Sequence, residues 1–372
     1  MTEMFISFLV LFAVFTLMVY YYSNYKKPMG FNYENVWVVN YSNDLNISKT
    51  DSLLLFYETF RQKIKSLPQV KEVSFTSSNV PFSQATMQTG TEYNKKQLNH
   101  VNMFQTDASY VNALNLKVAE GRWFDRQDAV ANYRPVVINS TLKEDLFGNE
   151  NAIGKLMGGD NKLKVIGVIE DMKVKGDYSV AGRAFYTRLD SGDYYGISKM
   201  LVSVTPGANV AFEGQLYKAV TNTFKNSNVE IEHLISKRTA INYFALVPMI
   251  VLFIVAGFLI INVALGLFGV LWYNINRRRG EIGLRRAIGA SGQSVSSQLV
   301  WEAMILSTLS LIAGTFFAVQ FPLLKVFDLP SGVYITAIAL AILFVYALVF
   351  VCALYPGKQA AAIYPAVALH ED

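Results

Sequence analysis

The sequence predicts an α-helical membrane protein with four transmembrane helices and a large α+β extracytoplasmic domain inserted between helices 1 and 2. Three observations lead there. Of 372 residues, 52% are hydrophobic and only 16% are charged, with a mean hydropathy of +0.27, whereas soluble chains carry about 25% charged residues. The apolar residues are gathered into four long runs, one near the start and three after residue 242. Five arginines crowd between Arg277 and Arg286, between two of those runs. Lys and Arg so close to span ends hold those ends in the cytoplasm, which orients the whole chain.

The first run, Met4–Tyr22, has 19 residues broken only by Ser7 and Thr16. As a helix it covers about 30 Å, one hydrocarbon core. No basic residue precedes it and no small-residue cleavage site follows, so it reads as a retained anchor rather than a cleaved signal. Tyr20, Tyr21, Tyr22 and Tyr25, then Lys26 and Lys27, form an interfacial belt. The second run, Tyr243–Tyr273, exceeds one bilayer thickness and should tilt or project beyond it. The third is about Leu299–Val326 and the fourth Val333–Tyr355, joined by a short turn through Pro330. The spans are therefore placed at residues 1–22, 243–273, 299–326 and 333–355. The loop 274–298 and the tail 356–372 lie inside, and residues 23–242 outside. Lys26, Lys27, Lys237 and Arg238 sit on the outer side, but large domains translocate largely regardless of charge.

Within 23–242, Val36–Val39 and Val70–Phe75 read as strands flanking a helix that runs from an N-cap at Thr50 or Asp51 to about Leu67. Asn139 or Ser140 caps a short helix ending at Gly148, and Leu163–Ile169 is a strand. Strand, helix and strand recur at Met200–Val204, Val210–Lys225 and Val229–Leu234. Two α+β lobes are expected.

Enzyme chemistry is not found. Cys352 is the only cysteine, and His100, His233 and His370 lack zinc-ligand spacing. Gly148 and Gly154-Lys155 are separated by five residues and followed by Leu156, so they do not form a phosphate-binding loop. The net charge of +5 is explained by the membrane edge rather than by nucleic acid. No catalytic, cofactor-binding or metal residue is assigned.

The functional signal lies in the arginine-rich loop. Ile282, Leu284 and Ile288 alternate with Arg279, Glu281, Arg285 and Arg286, which predicts a short amphipathic helix on the inner membrane face, open to a cytoplasmic partner. Glu281 and Arg285 are spaced to pair. Gly280, Gly283 and Gly289 permit bends, and Ser291 can cap the helix that follows. Glu302 is expected to be hydrated or paired with Arg285 or Arg286, and Asn262 to hydrogen-bond across helices beside Gly266 and Gly269.

Arg279-Gly280-Glu281-Ile282-Gly283-Leu284-Arg285-Arg286-Ala287-Ile288-Gly289-Ala290 resembles the cytoplasmic signature of ABC-transporter permeases of the MacB/FtsX-like type. Tyr355-Pro356 and Ala366-Val367-Ala368-Leu369 resemble that family's ending. Glu120-Gly121-Arg122, Leu146-Phe147-Gly148, Ile153-Gly154-Lys155 and Val165-Ile166-Gly167-Val168-Ile169-Glu170-Asp171 follow the order of its periplasmic core domain. The basic amphipathic helix usual before the first span of this family has no counterpart in Met1-Thr2-Glu3.

The resemblance implies a periplasmic MacB-like core domain at 23–242 and an FtsX-like permease domain at 243–372, in the bacterial inner membrane. It implies a transmembrane subunit that couples a separate cytoplasmic ABC ATPase to movement of the periplasmic domain. ATP would be bound by that partner. Arg279, Glu281, Ile282, Gly283, Leu284, Arg285, Arg286, Ala287 and Gly289 would form the ATPase-coupling segment, with Asn262 and Glu302 as intramembrane polar packing. A second permease subunit, as homo- or heterodimer, membrane lipid, and for export a periplasmic adaptor and outer-membrane duct are the implied partners. The alternatives are an FtsX-like regulator relaying ATPase motion to a cell-wall hydrolase, or a membrane-anchored sensor.

Overall fold

The structure, a computed structural model, describes residues 2–42, 45, 47, 49–76, 79–84, 86–125, 128, 133–159, 163–225 and 227–364. The chain divides into two compact units, one of Asn24–Phe244 and one of Met1–Ser23 with Ala245–Asp372. The sheet unit carries strands β1 (Val36–Asn40), β2 (Val70–Thr76), β3 (Gln88–Tyr93), β4 (Lys96–Thr106), β5 (Val118–Gly121), β6 (Arg134–Asn139), β7 (Leu156–Met157), β8 (Leu163–Ile169), β9 (Ala184–Arg188), β10 (Lys199–Val204) and β11 (Glu230–His233). They form one sheet in the order β11-β1-β10-β2-β4-β9-β6-β8-β5, with β3 on β4 and β7 on β8. Pairing is antiparallel except for β4 with β9 and β6 with β8.

Near-continuous apolar strands arise because the sheet is covered on both faces. Along β1, Val36 and Val38 enter one core while Trp37 and Val39 enter another, as the two-residue period of a strand requires. Helices α1 (Thr2–Tyr25), α2 (Thr50–Lys65), α3 (Tyr110–Ala113), α4 (Ser140–Phe147) and α5 (Val210–Thr221) precede the last strand. Two of them, α2 and α5, cover the β11-to-β2 half through Leu53, Tyr57, Phe60, Ile64, Phe212 and Leu216. The β4-to-β5 half has its own cover, Leu142, Leu146 and Phe147 of α4. Among the described residues the halves pair at Thr76 opposite Thr106.

Asp107 closes that seam. Its carboxylate accepts from Arg61 Nη2 at 2.8 Å, Ser74 Oγ at 2.7 Å, Phe75 N at 2.7 Å and Ser109 N at 3.0 Å. Caps fall where side chains can reach the first turn: Asn139 accepts from Leu142 N and Asn209 from Phe212 N. The expected cap at Thr50 or Asp51 does not form. Lys49 occupies the cap position in an extended conformation with no side-chain bond, so both residues lie inside α2.

The second unit contains α1, the membrane part of α6 (Leu234–Arg277), α7 (Arg279–Ala287), α8 (Gly292–Leu323) and α9 (Ser331–Ala361). Among the described residues, four helices, α1, α6, α8 and α9, are long and apolar enough to cross a membrane. At 1.5 Å per residue, the 44 residues of α6 extend about 66 Å, twice a hydrocarbon core. This helix begins at Leu234, nine residues before the apolar run, because Ser236, Lys237, Arg238, Thr239 and Asn242 are polar but helix-compatible.

Small residues on α9, at Ala337, Ala341, Ala353 and Ala360, are buried in the bundle. Such spacing lets helix backbones approach closely. Thr308 of α8 and Tyr346 of α9 share a hydrogen bond at 2.9 Å. The α8–α9 turn includes Lys325 and Phe327 in left-handed conformations. Helix α9 runs past the expected span end at Tyr355 to Ala361, whereas Ala366 to Leu369 of the C-terminal motif lie outside the described residues.

Candidate functional site

The arginine-rich segment folds as α7, a nine-residue helix set between α6 and α8. Arg278 leaves helical geometry at φ −100°, ψ 17° and separates α6 from α7. The helix ends in a Schellman arrangement: Ala290 N donates to Arg285 O at 3.0 Å and Gly289 N to Arg286 O at 3.2 Å. Gly289 sits at φ +103°, which glycine adopts at little cost. Ser291 Oγ then accepts from Ser294 N at 3.1 Å and caps α8.

Two faces of α7 have different tasks. Ile282 is buried in a small core with Ile275 of α6, Val295 and Leu299 of α8, and Ala360 of α9. It seats the helix, with Gly283 buried beside it. On the other face, Leu284 is 54% exposed and Ile288 79% exposed, one turn apart. Glu281, Arg285, Ala287 and Gly289 are also exposed, whereas Arg279 and Arg286 are half-buried, Arg286 with Nη1 donating to Ala290 O at 3.4 Å.

A polar chain braces this helix. Arg285 Nη2 donates to Glu281 Oε1 at 2.5 Å, and Arg285 Nη1 to Gln298 Oε1 of α8 at 2.9 Å. Gln298 Nε2 donates to Glu302 Oε1 at 3.1 Å, whose other oxygen meets Arg278 Nη1 at 3.3 Å. Exposed pairs of this kind contribute roughly 0.2–1 kcal/mol each, so their value is orientation rather than stability.

Some expectations need correcting. Glu302 pairs with Arg278, not Arg285 or Arg286, because Arg285 is taken up by Glu281 and Gln298. Among the described residues Asn262 has no cross-helix bond of the kind expected: it is exposed and Nδ2 donates to Phe258 O of its own helix at 2.8 Å. Gly269 faces open space, whereas a Cβ on Gly266 would lie 2.8 Å from Glu3 Oε2 of α1. Gln298 was missed by the sequence reading; its i,i+4 spacing to Glu302 was the only sign. Ile288 is the most exposed apolar side chain of the segment.

Two family matches cover nearly the whole chain: a MacB-like periplasmic core domain over residues 4–216 and an FtsX-like permease C-terminal region over residues 232–365. The chain belongs to the MacB/FtsX family of ABC-transporter permeases. Within this family, the macrolide export ATP-binding/permease protein MacB 1/2 of Paracoccus denitrificans is 27% identical over 58% of this chain and 33% of its own length. The uncharacterised ABC transporter permease YvrN of Bacillus subtilis is 22% identical over 73% of this chain and 70% of its own. The periplasmic region of MacB from Actinobacillus actinomycetemcomitans aligns over 56% of this chain and 92% of that structure, with 16% identity and a TM-score of 0.40. The chain spans about a third of the length of the first MacB relatives. Family membership makes it a transmembrane subunit of an ABC transporter and a multi-pass membrane protein.

Proposed function

We propose that the chain couples a separate cytoplasmic ABC ATPase to movement of a sheet domain outside the inner membrane, as the permease half of an export machine. The observation that carries this is the pair Leu284 and Ile288, exposed on a helix whose opposite face and charged flank are held by Ile282 and by the Glu281–Arg285–Gln298–Glu302–Arg278 chain. A topological loop needs neither a seated helix nor outward-facing aliphatics. A docking helix needs both, because a loosely held one would absorb the partner's displacement.

In this reading ATP binds and is hydrolysed on the partner. A second permease subunit and lipid cover the apolar sides of α6, where Ile250, Ile254, Phe258, Ile261 and Leu265 are exposed. A periplasmic adaptor and outer-membrane duct would complete an export path. The match to the MacB-like core domain favours export over relay to a cell-wall hydrolase.

A pull-down of the tagged full chain, with proteins identified by mass spectrometry, tests the reading. Wild type is expected to recover an ABC ATPase, and Leu284→Glu with Ile288→Glu to lose it. Failure to recover one after crosslinking, or its retention by the double variant, contradicts the proposal.

A further inference from the structure

The sheet unit joins the rest of the chain at its first and last residues, Asn24 and Phe244. One loop, between β8 and β9, grips the segments next to both. Lys173, 3% exposed, donates from Nζ to Asn24 O at 2.7 Å and Lys27 O at 3.1 Å. Asn24 Nδ2 donates to Tyr178 O at 3.1 Å, and the Tyr25 and Tyr178 rings stack at 6.1 Å.

The same loop holds the start of α6. Asp177, 6% exposed, accepts from Arg238 Nε at 2.9 Å, Arg238 Nη2 at 2.7 Å and Asn242 Nδ2 at 2.8 Å. Its own N–H donates to Asn242 Oδ1 at 2.9 Å. Arg238 also lies 4.6 Å from the Tyr33 ring centroid. Gly176 has φ +95°, and a Cβ there would sit 2.5 Å from Asn242 Oδ1. Only glycine lets the loop come this close.

Burying a carboxylate and an ammonium is costly, and such groups add little net stability over apolar packing. What they do supply is one allowed geometry. Arg238 and Asn242 lie one turn apart on α6, so a shift of that helix by a turn relative to the loop would break all four bonds. Lys173 imposes the same restriction on the exit of α1.

We propose that the loop Lys173–Tyr178, centred on Asp177, is a clasp that makes the two connecting segments move as one piece with the sheet, and so is the joint by which membrane-helix movement reaches it. Asp177 is a positioning residue in this scheme, and its transmitting role rests on the coupling reading above.

Double electron–electron resonance on the full chain in detergent tests it. A Cys352→Ala background would carry nitroxides at Lys26 and Ala240, or at Ala240 and Lys218, diluted with unlabelled chain. The parent is expected to give narrow distance distributions. Asp177→Ala should broaden both at least twofold, and Asp177→Asn less. Asp128→Ala removes another bidentate pair, with Arg122 at 2.6 and 2.7 Å, which touches neither segment, and should leave the widths unchanged. Parent-like widths in Asp177→Ala, or equal broadening in Asp128→Ala, overturn the clasp. Should Asp177→Ala fail to fold, Arg238→Gln opens the same pair from α6.

With the recovered ATPase, ATP and vanadate should leave the Lys26–Ala240 distance unchanged in the parent, where the clasp moves both segments together, and shift it in Asp177→Ala at equal ATPase recovery. A shift in the parent, or none in Asp177→Ala with ATPase bound, overturns the transmitting role. If no ATPase is recovered, the coupling reading fails while the widths still decide the clasp.

Discussion

Replacing Asp107 by alanine tests whether the sheet is one mechanical piece. Asp107 is 5% exposed and receives four hydrogen bonds beside the pair Thr76–Thr106, where the halves of the sheet meet among the described residues. Arg61, its partner, is largely buried, stacks 4.9 Å from the Phe75 centroid and also donates to Val73 O at 2.7 Å. Asp107→Ala leaves a largely buried guanidinium with only the exposed Glu58 carboxylate, 3.2 Å from Nε, as counter-charge and strands the Ser74, Phe75 and Ser109 donors. Breaking a buried pair from one side costs roughly 3–5 kcal/mol. Stranded donors cost about 1–3 kcal/mol each when fully buried, but they overlap with that loss, so about 4 kcal/mol is expected. For a unit of this size that lowers the unfolding midpoint by roughly 8–16 °C. Trp37 and Trp123, both buried in the sheet unit, report it by fluorescence in the full chain. Arg61→Met and the double variant complete a cycle, with a coupling of at least about 1.5 kcal/mol expected between contacting charges. A cost below about 1 kcal/mol for Asp107→Ala, or no coupling to Arg61, refutes the reasoning.

Other outcomes follow from the same structure. Burial pushes Tyr194 up to about 12 and Tyr57 and Tyr186 higher still. An unfolded tyrosine ionises from about pH 10, so their contribution is complete below that pH and is lost as pH rises toward the folded values. Tyr194 alone accounts for about 2 kcal/mol by pH 12, and tyrosinate absorbance should show these rings titrating only as the chain unfolds. In the bundle, a Cβ at Gly314 would lie 2.4 Å from Phe8 Cδ1. Gly314→Val should therefore displace Phe8 and lower the thermal midpoint, whereas Gly257→Ala, where nothing lies within 4 Å, should not. Leu284→Ala with Ile288→Ala should weaken ATPase binding by about 2–3 kcal/mol, roughly 30- to 150-fold, since burying such a side chain is worth about 1.5–3 kcal/mol.

The parts of the fold legible in the sequence were those set by neighbours along the chain. Leu163–Ile169 is a strand with those bounds, Ser291 caps α8, and Glu281 reaches Arg285 one turn away. The family resemblance read from the same segments is borne out. What stayed hidden depends on distant partners. The start of α6 does not read as part of the apolar run because Arg238 and Asn242, set among the core-packed Leu234 and Ile241, serve Asp177, more than sixty residues earlier in the chain. The place of β1 between β10 and β11 joins opposite ends of the sheet unit, and no local pattern marks it. Gln298 shows only its i,i+4 spacing to Glu302 in the sequence, because a neutral side chain becomes informative when α7 is set beside it.

Coupling through α7 is tested most directly by placing a photocrosslinking residue at Ile288 in the full chain within its native membrane. Phe327 in the α8–α9 turn is the matched control, since both side chains are 79% exposed. An adduct is expected at Ile288, identified by peptide mass spectrometry as a protein with a G-x-x-x-x-G-K-[ST] nucleotide-binding loop. Its yield should change with ATP, and Phe327 should give no such adduct. Absence of that adduct at Ile288, or an equal yield at Phe327, would contradict it.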